Sequence, residues 1–272
     1  MKKALTYISL NNILLLLLLT LSGFFSGMLG EMLYFLAFAI PIGIYCLIVA
    51  KGGEEAQKIS FAVKKRESLE LFAFVFPTLA LIFLISWLTS LILSLVSLPP
   101  ETDVSGNIIK EIFIHAALPS VLEEFVFRYF PLRLLMPHSR KSAVIISSLI
   151  FGLVHGNAFQ IPYALAAGFL FALLDVMYES LLPSLLLHFL NNLISIIWMR
   201  NASMQNFVLA FIVILVTGAV LSVVFLFLQR EKPFKKLLVA FKDNRKFEFT
   251  YPFVIFMALL ISVVLINAAV IL

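Results

Sequence analysis

The sequence predicts an all-α polytopic membrane protein, a bundle of about eight to nine transmembrane helices. Three observations carry this expectation. Of 272 residues, 62% are hydrophobic and only 13% charged, far from the roughly 45–50% apolar and roughly 25% charged of a soluble domain. Apolar runs of about 20 residues, each enough to cross a hydrocarbon core of roughly 30 Å as a helix, recur along the whole chain. The basic residues gather before the first run and after the second, fourth and eighth, as they do in chains whose positive loops stay on one side.

Taken in order, nine spans are expected. The first, 8–29, follows Lys2 and Lys3; no small-x-small cleavage site follows it and it exceeds a normal signal h-region, so it reads as a retained anchor. The second, 32–50, holds Cys46, and a single cysteine excludes an internal disulfide or a multi-cysteine metal site. A charged, interfacial loop carrying Lys51, Lys58, Lys64, Lys65 and Arg66 leads to the third span, 69–97. The fourth, 109–130, ends among Arg128, Arg133, Arg140 and Lys141; the fifth, sixth and seventh cover 143–158, 162–178 and 181–199. The eighth, 206–229, precedes a basic segment from Arg230 to Lys246, and the ninth is 250–272. Of the 20 Lys and Arg residues only Lys110 and Arg200 fall on the other side, which places the N-terminus in the cytoplasm and the C-terminus outside. The loops account for the net charge of +5, so no nucleic-acid partner is implied. Short loops and a Lys- and Ile-rich composition point to a bacterial plasma membrane. Three units result: spans 1–3 within 1–108, a four-span core within 109–199, and two spans within 200–272.

Polar residues at membrane depth then become the functional signal. A charged side chain near the bilayer centre costs about 2.5–3.5 kcal/mol on insertion scales, so such residues face a bundle interior or an aqueous cavity. Glu123, Glu124, Arg128, His155, Asp175, His188, Asn191 and Asn192 all lie between residues 109 and 199, while the flanking spans are almost free of ionisable groups. Glu124 and Arg128 are four apart and can pair on one helix face. Glu123 is turned by about 100° and is left free. His188 and Asn192 again share a face, and His155 has Phe151 one turn back. Asp175 and Glu179 read as interfacial or structural contacts, His115 and His138 as loop or interfacial, and Trp87 and Trp198 as membrane-facing, with Trp198 an interface anchor.

The stretches "EEFVFR", "FGLVH" and "HFLNN" resemble the EExxxR, FxxxH and HxxxN motifs of the CPBP intramembrane proteases, also called Abi or type II CAAX prenyl endopeptidase-like. The resemblance covers 109–199 and departs nowhere at its polar positions. It implies that Glu123 is the principal catalytic carboxylate, that His155 helps it activate water, and that His188 and Asn192 stabilise the oxyanion, with Glu124 and Arg128 supporting them. It also implies a membrane-associated protein or peptide substrate, prenylated or bacteriocin-like. The residue types agree independently: peptide hydrolysis needs a base for water and donors for the developing oxyanion. No GxSxG or HExxH is present and Cys46 lies far outside the polar cluster, which disfavours a covalent mechanism.

Alternatives stay open at this level. No cofactor is required, but Glu123, His155 and His188 could hold Zn²⁺ as a two-His, one-carboxylate site. A non-catalytic immunity or binding protein could use the same scaffold. A secondary transporter would also keep charges at mid-membrane, although no inverted-repeat pattern of broken spans is visible.

Overall fold

The computed structural model describes residues 1–52, 57–95, 106–201, 203–229, 233–241 and 249–271. They form α1 Lys2–Gly23, α2 Gly27–Gly52, α3 Lys65–Leu93, a composite α4 over 108–135, α5 Arg140–Val154, α6 Ile161–Tyr178, α7 Leu182–Asn201, α8 Gln205–Leu228, α9 Pro233–Phe241 and α10 Tyr251–Ile271. Seven of these helices, α1, α2, α3, α6, α7, α8 and α10, are long and apolar enough to cross a membrane. The protein is a helical integral membrane protein. The break between the first two helices falls at residues 24–26 rather than at 30–31, where Gly27 takes φ +64, a left-handed turn that glycine alone adopts without cost. Residues 98–105 of the expected outer loop, and 230–232 and 242–248 of the basic segment, lie outside the described residues.

The fourth and fifth expected spans differ in kind from the rest. Helix α4 alternates α and π turns: Ile108–Glu111 is α, Ile112–Ala117 is π, Leu118–Glu124 is α, Phe125–Tyr129 is π and Phe130–Leu135 is α. Each π stretch precedes a proline at the start of the next α segment, Pro119 and Pro131. A proline lacks the N–H that the preceding turn would use, and a π turn shifts the register to absorb that loss. The carbonyl left over by Pro131 is that of Phe127, four residues back, and the buried Ser147 of α5 donates its hydroxyl to it at 2.6 Å. Helix α5 has only 15 residues, about 22 Å at 1.5 Å per residue, against a hydrocarbon core of roughly 30 Å.

Close approach of α5 and α6 sets the depth of the site. A Cβ added at Gly152 would lie 2.4 Å from Leu165, and one at Gly168 would lie 3.2 Å from the Ser148 backbone, the small-residue contact that lets membrane helices pack without a hydrophobic drive. Between α1 and α2 the join is polar: Asn12 donates to the Tyr45 hydroxyl at 3.1 Å and Asn11 to the Pro41 carbonyl at 3.0 Å.

On the face that carries Arg140 and Lys141, the segment after α2 is docked and not merely interfacial. The Ser60 amide donates to Glu179 O at 2.9 Å and Leu181 N–H returns to Ser60 O at 2.8 Å, while Arg133 Nε reaches Gln57 O at 3.0 Å. Phe61 lies against Phe125 and Tyr129. Helix α9 sits on the same face, where Lys236 bonds Glu67 at 3.1 Å and Glu70 at 3.2 Å. On the opposite face Arg200 closes onto Glu111 at 2.8 Å, which joins the end of α7 to the start of α4.

Candidate active site

Three helices bring the polar residues together: α4 supplies Glu123, Glu124 and Arg128, α5 ends at His155, and α7 supplies His188 and Asn192. Arg128 and Glu124 are fully buried, and their nearest atoms are 3.6 Å apart, the i, i+4 pair expected. The guanidinium lies 3.8 Å above the Phe151 ring, a cation–π contact that gains strength away from water. None of its nitrogens has a hydrogen-bond partner among the described residues.

Glu124 does more than neutralise Arg128. Its Oε1 lies 2.7 Å from Nδ1 of the buried His188, so a single carboxylate links the arginine of α4 to the imidazole of α7. The second nitrogen of that ring, Nε2, faces Glu123 Oε2 at 3.8 Å. That gap is too long for a hydrogen bond and is one that a water molecule can bridge. Glu123 itself is nearly buried, and its Oε2 has no hydrogen-bond partner among the described residues. It is the unpaired carboxylate that helical geometry expects. The phenols of Tyr34 and Tyr163 lie within its electrostatic reach.

His155 is the C-cap of α5, half-buried, with Nδ1 2.7 Å from Phe151 O and its ring 4.9 Å from the Phe151 ring. A carbonyl can only accept, so Nδ1 carries the proton and Nε2 keeps its lone pair. His188 has its Nδ1 held in the same way by a carboxylate. The described contacts thus set His188, where the sequence pattern expects His155, directly against Glu123. Asn192 lies one turn beyond His188, and its Oδ1 accepts from the Asn191 amide at 3.4 Å.

Asp175 is the member that sequence reasoning underplayed. It is fully buried, and its Oδ1 accepts the Ser184 N–H at 3.0 Å, satisfying one of the free amides in the first turn of α7. Asp175 joins Glu124 and Glu123 among the carboxylates in the electrostatic surroundings of Arg128. Its distance in sequence from the two glutamates hid it; the only clue was its place in an apolar run. Glu179 pairs with Arg140 at the surface, and Trp198, expected as an interface anchor, packs edge-on against Phe83 at 5.1 Å.

His155 and His188 both tie Nδ1 to an acceptor, the habit of an imidazole that binds metal through Nε2. Even so, among the described residues no three His, Cys, Asp or Glu side chains come together at metal-ligand spacing. Glu123, His155 and His188 as placed do not form a zinc set.

No curated protein and no solved structure matches the chain. A protein-family model does, over the segment that holds every residue of the cluster, and it supports a CAAX-type intramembrane protease in general. That model is described as "Type II CAAX prenyl endopeptidase Rce1-like", and it is residues 105–194 of this chain, the segment that carries the three motifs, that are similar to it.

Proposed function

We propose that the chain is an endopeptidase that hydrolyses a peptide bond of a membrane-associated protein or peptide with a water activated by Glu123. The observation that carries this reading is the 3.8 Å gap between Glu123 Oε2 and His188 Nε2, with no hydrogen-bond partner for that carboxylate oxygen among the described residues. Water held there loses a proton to Glu123 Oε2 as its oxygen attacks the scissile carbonyl. Negative charge develops on the carbonyl oxygen, and the donors at hand are Nε2 of a protonated His188 and the Asn192 amide. Collapse breaks the C–N bond, the leaving amine takes the proton from Glu123, and the products are a carboxylic acid and an amine, which part as carboxylate and ammonium once the acid's proton passes to the amine.

The remaining residues orient this pair. Glu124 accepts from His188 Nδ1 and fixes the ring plane, Arg128 balances Glu124, and Asp175 anchors the start of α7. His155, with its free Nε2, serves as a second acceptor for the water. No step is routed through a metal, because the residues do not form a ligand set. In this reading the N-terminus and the Arg140 face are cytoplasmic, in a bacterial plasma membrane.

The test uses the full chain reconstituted in vesicles with a panel of membrane peptides, prenylated and unprenylated. The wild type cleaves at least one of them, and Glu123→Gln loses about 10²–10⁴ in rate while keeping its melting temperature. Cleavage by Glu123→Gln at a near-normal rate would remove Glu123 from the mechanism; uptake of the peptides without any cleavage would favour the transporter.

A further inference from the structure

From Pro252 to Ala268, α10 is apolar except for two side chains, Ser262 and Asn267. Ser262 keeps its hydroxyl within the helix, donating to Ala258 O at 2.8 Å. Asn267 does not: its Nδ2 crosses to the turn that ends α5 and donates to Gly156 O at 2.9 Å. A carbonyl only accepts, so the amide nitrogen and not the amide oxygen must face it. A polar side chain on such a helix is stabilised by a partner on a neighbouring helix, and here the partner is the residue next to His155.

The contact at this turn is close. Val263 lies one turn before Asn267 on the same face, and a Cβ added at Gly156 would meet Asn267 Nδ2 at 3.0 Å and Val263 at 3.3 Å. Gly156 takes φ +63, the left-handed conformation in which helices commonly end. Its amide donates back to Leu153 O at 3.1 Å, and Asn267 fixes its carbonyl, so both polar groups of the residue are held where a helix otherwise frays. His155 is the C-cap of α5. Its imidazole is oriented by the bond from Nδ1 to Phe151 O one turn back, a bond that needs the last turn of α5 to stay wound. Phe151 in turn lies 5.5 Å from the His188 ring and under the Arg128 guanidinium, so this turn joins His155 to the rest of the cluster.

We infer that Asn267 is a positioning residue for His155: by holding Gly156 O it keeps the end of α5 wound and the His155 ring in its Nδ1–H tautomer, with Nε2 free to accept. Its consequence for turnover rests on the peptidase reading. The inference extends the working parts of the site to a helix that carries none of the three motifs.

Two readouts on the full chain in vesicles test it, one of them independent of cleavage. Asn267→Leu removes the donor and suits an apolar helix; Asn267→Asp keeps the shape and donates only while protonated. The chain has four histidines, so nitrogen NMR on histidine-labelled protein resolves each ring, and His155→Gln assigns one of them. The wild type should show His155 as a single tautomer protonated on Nδ1, whereas Asn267→Leu should show both tautomers at His155 and leave His188 unchanged. On a peptide that the wild type cuts, Asn267→Leu should lower kcat by about 10–100-fold, the scale of a small misplacement of a working group, with KM and melting temperature little changed. Asn267→Asp should follow the wild type at low pH and fall toward Asn267→Leu as rising pH removes the proton that it donates. A His155 spectrum indifferent to Asn267→Leu, a loss confined to KM or to the melting temperature, or an Asn267→Asp variant as active as the wild type in alkaline buffer overturns the inference. If the His155 spectrum responds as expected and the wild type cuts no peptide, the positioning stands and the peptidase reading falls.

Discussion

The buried Arg128–Glu124 pair offers the sharpest quantitative test. At their 3.6 Å separation and an effective dielectric of about 20, Coulomb attraction amounts to roughly 4–5 kcal/mol. Removing one partner of such a pair typically costs about 3–5 kcal/mol, since the other is left buried without compensation. Arg128→Met should therefore destabilise the protein by about that much, because it strands both Glu124 and Asp175 and forfeits the contact with Phe151. Glu124→Gln should cost less, about 1–3 kcal/mol, since Asp175 and Glu123 still face the guanidinium. The double variant should fall short of the sum by about 1–3 kcal/mol. Unfolding in detergent, followed by the fluorescence of Trp87 and Trp198, measures all three against the wild type. Cleavage should drop in each, because the His188 ring loses its anchor. The reasoning is refuted if Arg128→Met is within about 0.5 kcal/mol of the wild type, the scale of an ordinary surface change, or if the two single effects simply add. A Glu124→Gln variant that is fully stable and fully inactive would show that Glu124 takes part in the chemistry and does not merely hold His188.

Asn192→Ala should lower turnover by about 10²–10³, the usual loss for one oxyanion donor, with substrate binding little changed; steady-state kinetics on a cleaved peptide decides, and a KM effect alone would count against the role. Exhaustive removal of divalent metal should leave most activity, and metal analysis should find well under one zinc per chain; a stoichiometric zinc whose removal abolishes cleavage and whose return restores it would replace the Glu-water mechanism. At Lys236 burial opposes the charge, but the bonds to Glu67 and Glu70 outweigh it and hold the ammonium above the ordinary lysine value. A folded value raised in this way stabilises fully below the unfolded value of about 10.4, and the benefit fades as pH rises through the higher folded one. The docking of α9 should thus be insensitive to pH between 6 and about 9, and Lys236→Gln should change stability by only about 0–1 kcal/mol, as a partly exposed pair does, while making α9 easier to cleave with a protease; a steep loss of α9 protection below pH 9 would contradict the assignment.

Much of this protein could be read from its sequence, for a physical reason. In a bilayer every backbone polar group must be satisfied within its own segment, so hydropathy alone implies helices, and the cost of a charge at depth makes Glu123, Glu124, Arg128 and His188 conspicuous. The i, i+4 spacing was enough to pair Glu124 with Arg128, since both lie on one helix. Contacts between helices were another matter. That Glu124 bonds Nδ1 of His188, that Nε2 of the same ring faces Glu123, and that Asp175 shares Arg128 while capping α7 all depend on how α4, α6 and α7 are rotated about their own axes, which no periodicity reports. The two prolines of α4 were visible, but not the π turns that absorb their missing N–H groups, nor Ser147 reaching across to the stranded carbonyl of Phe127. Hydropathy placed the fifth span at 143–158, where α5 covers Arg140–Val154; the close approach of α5 to α6 at Gly152 and Gly168 was decided by the tertiary fold.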